Sequence, residues 1–227
     1  SLIMKDLRLF RGTFCSTKKT LKNSCFTPPL RYNTAMTTDQ LITFFREAHD
    51  SINHKRKYTG FPYWTHTEEV LEILQSFGYY GDDFTIGALG HDVLEDVAPI
   101  NADYSFEKLV EKFGRINASV ILDLTDVFTK TNFPAWNRKA RKESEAWRLV
   151  SLGNTPLIIK LADLISNTRD ITENDPKFAK TYIKEKKFLL TLIEYRRFDT
   201  TVSVSPIFKK AKALTDHLWL SSQIKSN

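Results

Sequence analysis

The chain has 227 residues, a formal net charge of +6, 41% hydrophobic residues and two cysteines, which is length for one well-buried domain with room for a small appendage. No apolar run approaches the roughly 20 residues of a membrane span, and Cys15 and Cys25 both precede Met36, so the rest of the chain has no disulfide and no thiolate metal site; a reducing, intracellular compartment is the simplest inference. The charge excess belongs to residues 1–35, where seven Lys/Arg face Asp6 alone, while the 26 basic and 26 acidic residues that follow cancel, so no general affinity of the body for nucleic acid is expected.

Residues 1–35 are basic, rich in Ser and Thr and poor in acids, the composition of an organelle transit peptide, yet they show little helical amphipathicity. They read as an N-terminal extension, either a targeting segment or a stretch upstream of a natural start at Met36. The corresponding locations are an organelle or the cytoplasm.

After Met36 the spacing predicts helix after helix. "TTDQLITFFREAHDSINH" begins with threonine caps and repeats apolar residues at Leu41, Phe44, Phe45 and Ala48. "THTEEVLEILQSFG" starts at Thr65 and stops at Gly78. From Asp82 to Val97 a third helix is expected, apolar except for a histidine and three carboxylates in "GHDVLEDV". Because four residues make about one turn, His91 would lie beneath Glu95 and Asp92 beneath Asp96. "SFEKLVEKFG" has a serine cap and a glycine stop, "NASVILDLTDVF" follows, and "AWNRKARKESEAWRLVSLG" is a polar helix ending near Gly153. Three later helices, "TPLIIKLADLISNTRDI", "DPKFAKTYIKEKKFLLTLIEY" and "SPIFKKAKALTDHLWLSSQI", are expected to open with proline at the first position. No strand or hairpin signal is found. The fold class is all-α, one domain over 36–222, with loops at 55–64, 97–104 and 126–134 as candidate site walls.

Polar residues in apolar helices carry the chemistry. A carboxylate such as Asp163 within "LIIKLADLISN" needs a partner, and three carboxylates crowded beside His91 repel unless a cation compensates them. With His66 at the first turn of its helix, His91, Asp92 and Asp163 make a nitrogen and oxygen set suited to Mn²⁺, Fe²⁺ or Zn²⁺. A solvated charged face with a satisfied histidine is the alternative.

The order His66, His91-Asp92, Asp163 resembles the H…HD…D signature of the HD phosphohydrolase superfamily, a helical-bundle fold. More narrowly, "HDVLEDV", "IKLADLISNTRDI", "GFPYWTH" and "LTDVFTK" are similar to four motifs of the RelA/SpoT-type alarmone hydrolases, in the same order over about residues 40–171. The resemblance implies that His66, His91, Asp92 and Asp163 ligate a metal, Mn²⁺ by preference, and that Glu95 and Asp96 are the catalytic acids. It implies a nucleotide substrate, guanosine tetra- or pentaphosphate, cleaved to pyrophosphate and GDP or GTP, with Asn167, Lys130, Arg56 and Lys57 as substrate contacts. For Asn167 a surface helix cap is the alternative, and for Arg56 and Lys57 plain solvated charges. Hydrolysis of another nucleotide, at the 2′-phosphate of NADPH or on a deoxynucleoside triphosphate, and a non-catalytic nucleotide-binding module are the rival readings. The chain departs from the pattern at Thr67, Val97 and Leu164, where the family has proline, threonine and a basic residue, and these positions are expected to bear on substrate choice. The polar helix either supplies Arg138, Arg141 or Lys142 to phosphates or is a solvated face. Tyr63 and Trp136 either stack on a base or pack in the core or its rim.

Overall fold

The computed structural model describes residues 36–195 and 201–224; the extension assigned to 1–35 lies outside them. Helix α1 (Thr38–Asp50) begins at a reciprocal cap in which Gln40 N–H donates to Thr37 Oγ1 and Thr37 N–H to Gln40 Oε1. It buries Leu41, Phe45 and Ala48 on one face. Helices α2 (Trp64–Ser76) and α3 (Asp82–Gly90) follow, then a short 3₁₀ turn at Ala102–Tyr104. Helix α4 (Phe106–Leu124) runs through the expected glycine stop but breaks there, since Gly114 has φ 78°, a left-handed conformation that glycine adopts without strain. Helix α5 (Arg138–Val150) is capped by Asn137, whose Oδ1 accepts from Ala140 N–H at 2.9 Å. Among the described residues there is no strand, only an isolated bridge between Lys55 and Pro62, and the all-α expectation holds.

Helix α6 (Asn154–Asn174) is the axis of the bundle. Leu157, Ile158, Ile159, Leu161, Ala162, Leu164 and Ile165 are all buried, so apolar side chains leave it in every direction, as required of a helix with neighbours on all sides. It packs against α2, α3, α4, and against α7 (Pro176–Glu194) and α9 (Pro206–Ile224), with the single turn α8 (Thr201–Val204) beside them. Proline opens α7 and α9 as predicted, whereas α6 starts two residues earlier than expected, with Pro156 inside its first turn. There its missing N–H has no helical acceptor to lose.

The expected helix over 82–97 is corrected. Helix α3 stops at Gly90, His91 and Asp92 form a turn, and Val93–Val97 is a π-turn in which Ala98 N–H donates to Val93 C=O at 2.9 Å. The five-residue turn interrupts the regular helix, but Asp96 N–H still donates to Asp92 C=O at 2.9 Å, so Asp96 stays one turn beyond Asp92 as expected, while Glu95 N–H also turns back to Asp92 C=O, at 3.2 Å. The close approach of α3 to the rest of the bundle explains why the segment holds two glycines. A Cβ on Gly87 would stand 2.5 Å from Ile159 Cδ1, and one on Gly90 2.7 Å from both Ile121 Cδ1 and Phe45 Cε1. His91 is thereby pressed into the centre of the bundle.

Candidate metal centre

Four side chains from α2, the turn after α3, and α6 converge. His66 and His91 are each 2% exposed. His66 Nε2 lies 3.2 Å from Asp163 Oδ1, and His91 Nε2 lies 3.0 Å from Asp92 Oδ2 and 3.8 Å from Asp163 Oδ1. Yet neither Nε2 has a hydrogen-bond partner among the described residues. Such an unpartnered buried nitrogen is costly unless another group occupies the space it faces.

The opposite ring nitrogens explain which way the lone pairs point. His91 Nδ1 is 2.8 Å from the Ala88 carbonyl, which can only accept, so Nδ1 carries a proton and Nε2 faces Asp92 and Asp163. For His66, Ser166 Oγ donates to Glu69 Oε2 at 2.7 Å and therefore accepts from His66 Nδ1–H at 2.9 Å. Glu69 is anchored in turn by Arg56 at 3.4 Å and Arg169 at 3.7 Å. Both imidazoles are thus held with Nε2 free and inward, the arrangement of metal-ligating histidines whose second nitrogen is fixed by an outer partner. Ligand atoms bound about 2.1 Å from a common ion stand about 3 Å apart, which matches these spacings, and the donor set of two imidazoles and two carboxylates suits a borderline divalent ion. The residues fit a metal. His66, His91 and Asp92 by themselves bring a ligand atom each within 4.8 Å of one another.

The electrostatics describe the same demand. Burial pulls the His91 pKa down, but Asp92 and Asp163 override it and raise it to about 9. Burial also opposes ionisation of Asp163, yet Lys160, with Nζ 2.8 Å from Asp163 Oδ2, holds it well below the usual carboxylate range. Tyr63 Oη donates to Asp92 Oδ2, and Asn167 Nδ2 to Asp163 Oδ1. Lys160, Glu69, Ser166 and the role of the Tyr63 hydroxyl escaped the sequence reading. Lys160 carried the same signal that singled out Asp163, a charge within an apolar helix three residues away; Glu69 and Ser166 carried none, because an ordinary serine and an exposed-looking glutamate become partners only across two helices.

The π-turn sends the two acids apart. Glu95 Oε2 accepts from the Asp126 amide at 3.3 Å, in the loop after α4, while Asp96 Oδ2 lies 4.0 Å from His54 Nε2, in the loop after α1. Partial withdrawal from water, with Asp92 and Glu95 nearby, raises Asp96 to about 7; desolvation and Asp126 raise Glu95 as well. Beside His66 a cleft of about 210 Å³ is lined by Arg56, Lys57, Tyr58, Tyr63, Asn167 and Phe178, among others. Three of the four expected substrate contacts therefore share one cleft with an expected ligand. Arg56 is not a plain solvated charge, since it pairs with Glu69 and Asp170. Lys130 is exposed on the loop after α4 and joins neither the cleft wall nor the histidine and carboxylate cluster.

Residues 42–189 match the HD domain family. The chain belongs to the HD domain family. The fold of this HD domain is shared by the structure of a metazoan ortholog of SpoT that hydrolyses ppGpp and plays a role in starvation responses, with TM-score 0.62 and 21% identity over 83% of this chain and 98% of that one. A crystal structure from Listeria monocytogenes EGD-e is similar at TM-score 0.55 and 20% identity, covering 72% of this chain and 99% of that one. No curated protein matches the sequence. Among the described residues of this HD domain no helix is long and apolar enough to cross a membrane.

Burial and packing place the remaining candidate residues of the HD domain. Thr67, Val97 and Leu164 are each 0% exposed, so these positions pack the core and do not meet a substrate directly. Tyr63 is not open to a base on both faces, because its ring stacks on His54 at 3.8 Å between centroids. Trp136 stacks with Phe128 at 5.9 Å. In the polar helix, Arg138 is bound by Glu185 through two hydrogen bonds, Arg141 by the Trp136 carbonyl, and only Lys142 reaches inward, to Asp126 at 2.7 Å.

Proposed function

We propose that this HD domain is a divalent-metal phosphohydrolase, with Mn²⁺ held by His66, His91, Asp92 and Asp163, that removes the 3′-pyrophosphate from guanosine tetra- and pentaphosphate. The observation that carries the metal is the pair of buried, unpartnered Nε2 atoms facing two carboxylates. A divalent ion, when bound, supplies Lewis acidity that polarises a phosphoryl oxygen and makes water easier to deprotonate.

The chain's own residues do the rest. Asp96, raised to about 7, is poised to take and return a proton near neutral pH, and Glu95, tethered to the Asp126 amide, orients water from the other side. The cleft supplies Asn167 and Lys57 as polar contacts, with Tyr58 and Phe178 as aromatic walls for a base and ribose. The narrower choice of ppGpp is supported by the motif resemblance and by the fold shared with an ortholog of SpoT.

Purified protein with Mn²⁺ should convert ppGpp to GDP and an equal amount of free pyrophosphate. Faster release of inorganic phosphate from NADPH, or of tripolyphosphate from a deoxynucleoside triphosphate, would replace this substrate with the other. Binding of all three without turnover would make the protein a nucleotide-binding module.

A further inference from the structure

A second cavity, of about 50 Å³, is walled by Asp126, Lys142, Glu145, Lys160, Glu185 and Lys186, among others. Two of these residues join it to the metal cluster. Lys160 Nζ is 2.8 Å from Asp163 Oδ2, and the Asp126 amide donates to Glu95. The first cleft reaches the same cluster through His66 and Asn167, so the cluster has a cavity on its α2 side and another on its α5 and α7 side.

The charges of the second cavity do not cancel in pairs. Asp126 is taken by Lys142 at 2.7 Å, and Glu145 by Arg148 at 2.5 Å together with the amides of Val127 and Phe128 at 3.1 Å. Glu185 is held by Arg138 at 2.7 and 2.9 Å, and Asp163 by Lys160. Lys186 is left over. Among the described residues it has neither ion pair nor hydrogen bond, and its ammonium stands 4.9 Å from the Tyr182 ring centroid. Burial and the nearby Lys160 and Lys142 outweigh the opposing pull of Asp163 and Asp126 and lower its pKa to about 8. A half-buried lysine with no ion pair of its own, beside two other ammonium groups whose nearest carboxylates are already paired, is costly, and an anion entering the cavity would relieve that cost.

We propose that this cavity is the leaving-group subsite, in which Lys186 and Lys142 hold the outer phosphate of the pyrophosphoryl group. The inference rests on the reading of the domain as a 3′-pyrophosphohydrolase. In the reaction, the oxygen of water bonds to the phosphorus attached to the ribose 3′ oxygen, and that phosphorus–oxygen bond breaks. One water proton passes to a carboxylate of the Glu95/Asp96 pair and on to the 3′ oxygen, and pyrophosphate is left. The phosphorus under attack remains at the cluster while its outer neighbour extends toward the lysines, and the nucleoside occupies the first cleft.

The test uses the 227-residue chain loaded with Mn²⁺, and inorganic pyrophosphate as probe. Calorimetric titration should show pyrophosphate binding weakened at least about tenfold in Lys186→Gln and in Lys142→Gln, the scale for losing a hydrogen bond to a charged group. Lys186→Arg should restore most of it, and GDP binding should not change in any of the three. The melting temperature of Lys186→Gln should be equal to or above that of the parent, which separates lost binding from lost folding. Unchanged pyrophosphate binding, or an equal loss of GDP and pyrophosphate binding, overturns the subsite. If the parent protein does not cleave ppGpp while Lys186→Gln still loses pyrophosphate, the nucleotide reading fails and the anion site stands; if ppGpp is cleaved and pyrophosphate ignores Lys186, the subsite alone fails.

Discussion

Metal binding should expel one proton, and His91 is its source. In the metal-free protein the Nδ1 proton is committed to the Ala88 carbonyl at 2.8 Å, so the proton that Asp92 and Asp163 stabilise is on Nε2. With the pKa raised to about 9, about 99 in 100 molecules carry it at pH 7, and removing it costs about 2.7 kcal/mol. The affinity for Mn²⁺ should therefore rise about tenfold per pH unit from pH 6.5 upward and level off near pH 9. Titration calorimetry at pH 7 in two buffers of different ionisation heat should give close to one proton released per ion. The same shift has a stability consequence of defined sign. A histidine whose pKa is higher folded than unfolded stabilises the metal-free protein fully below about pH 6.5 and loses that contribution as pH rises through about 9, a decrease of about 3 kcal/mol. Saturating metal should remove this pH dependence, since no proton then resides on Nε2. A proton number near zero, or a metal affinity flat between pH 6.5 and 8.5, would refute the reasoning.

Three further outcomes are expected. Ser166→Ala breaks the link between His66 Nδ1 and Glu69, and should weaken Mn²⁺ binding by about 10- to 100-fold while leaving the melting temperature of the metal-free protein nearly unchanged; retention of parental affinity would show that the serine does not orient the ring. Asp96→Asn should retain the metal by elemental analysis and slow turnover of ppGpp by about 10²-fold or more, and parental turnover would assign the acid a structural role. Gly90→Ala places a methyl group 2.7 Å from Ile121 and Phe45, and denaturant unfolding should show a loss of about 1–3 kcal/mol; no loss would mean that the neighbours yield without strain.

How far the sequence reaches can be judged residue by residue. Thr37 with Gln40, Asn137, and the prolines at 176 and 206 are local signals, and each marks a helix start because capping depends on backbone groups within one turn. His66, His91, Asp92 and Asp163 stood out for the same kind of reason, polar atoms in apolar segments that burial would leave without partners. The path of the acids was not legible. The π-turn at Val93–Val97 follows a helix end packed closely against Ile159, Ile121 and Phe45, residues of α6, α4 and α1, and no spacing inside "GHDVLEDV" encodes those contacts. Thr67, Val97 and Leu164, departures from the family pattern expected to bear on substrate choice, are wholly buried, because on a helix adjacent residues point about 100° apart. The amino-acid sequence by itself determined which segments are helical and which polar side chains are out of place in them, since both depend on neighbours within a turn or two. Only the tertiary structure decided that Glu69 and Ser166 steer His66, that Lys160 neutralises Asp163, and that Lys186 is left without an anion, because these relations are distances between helices and arise only when α2, α5, α6 and α7 pack.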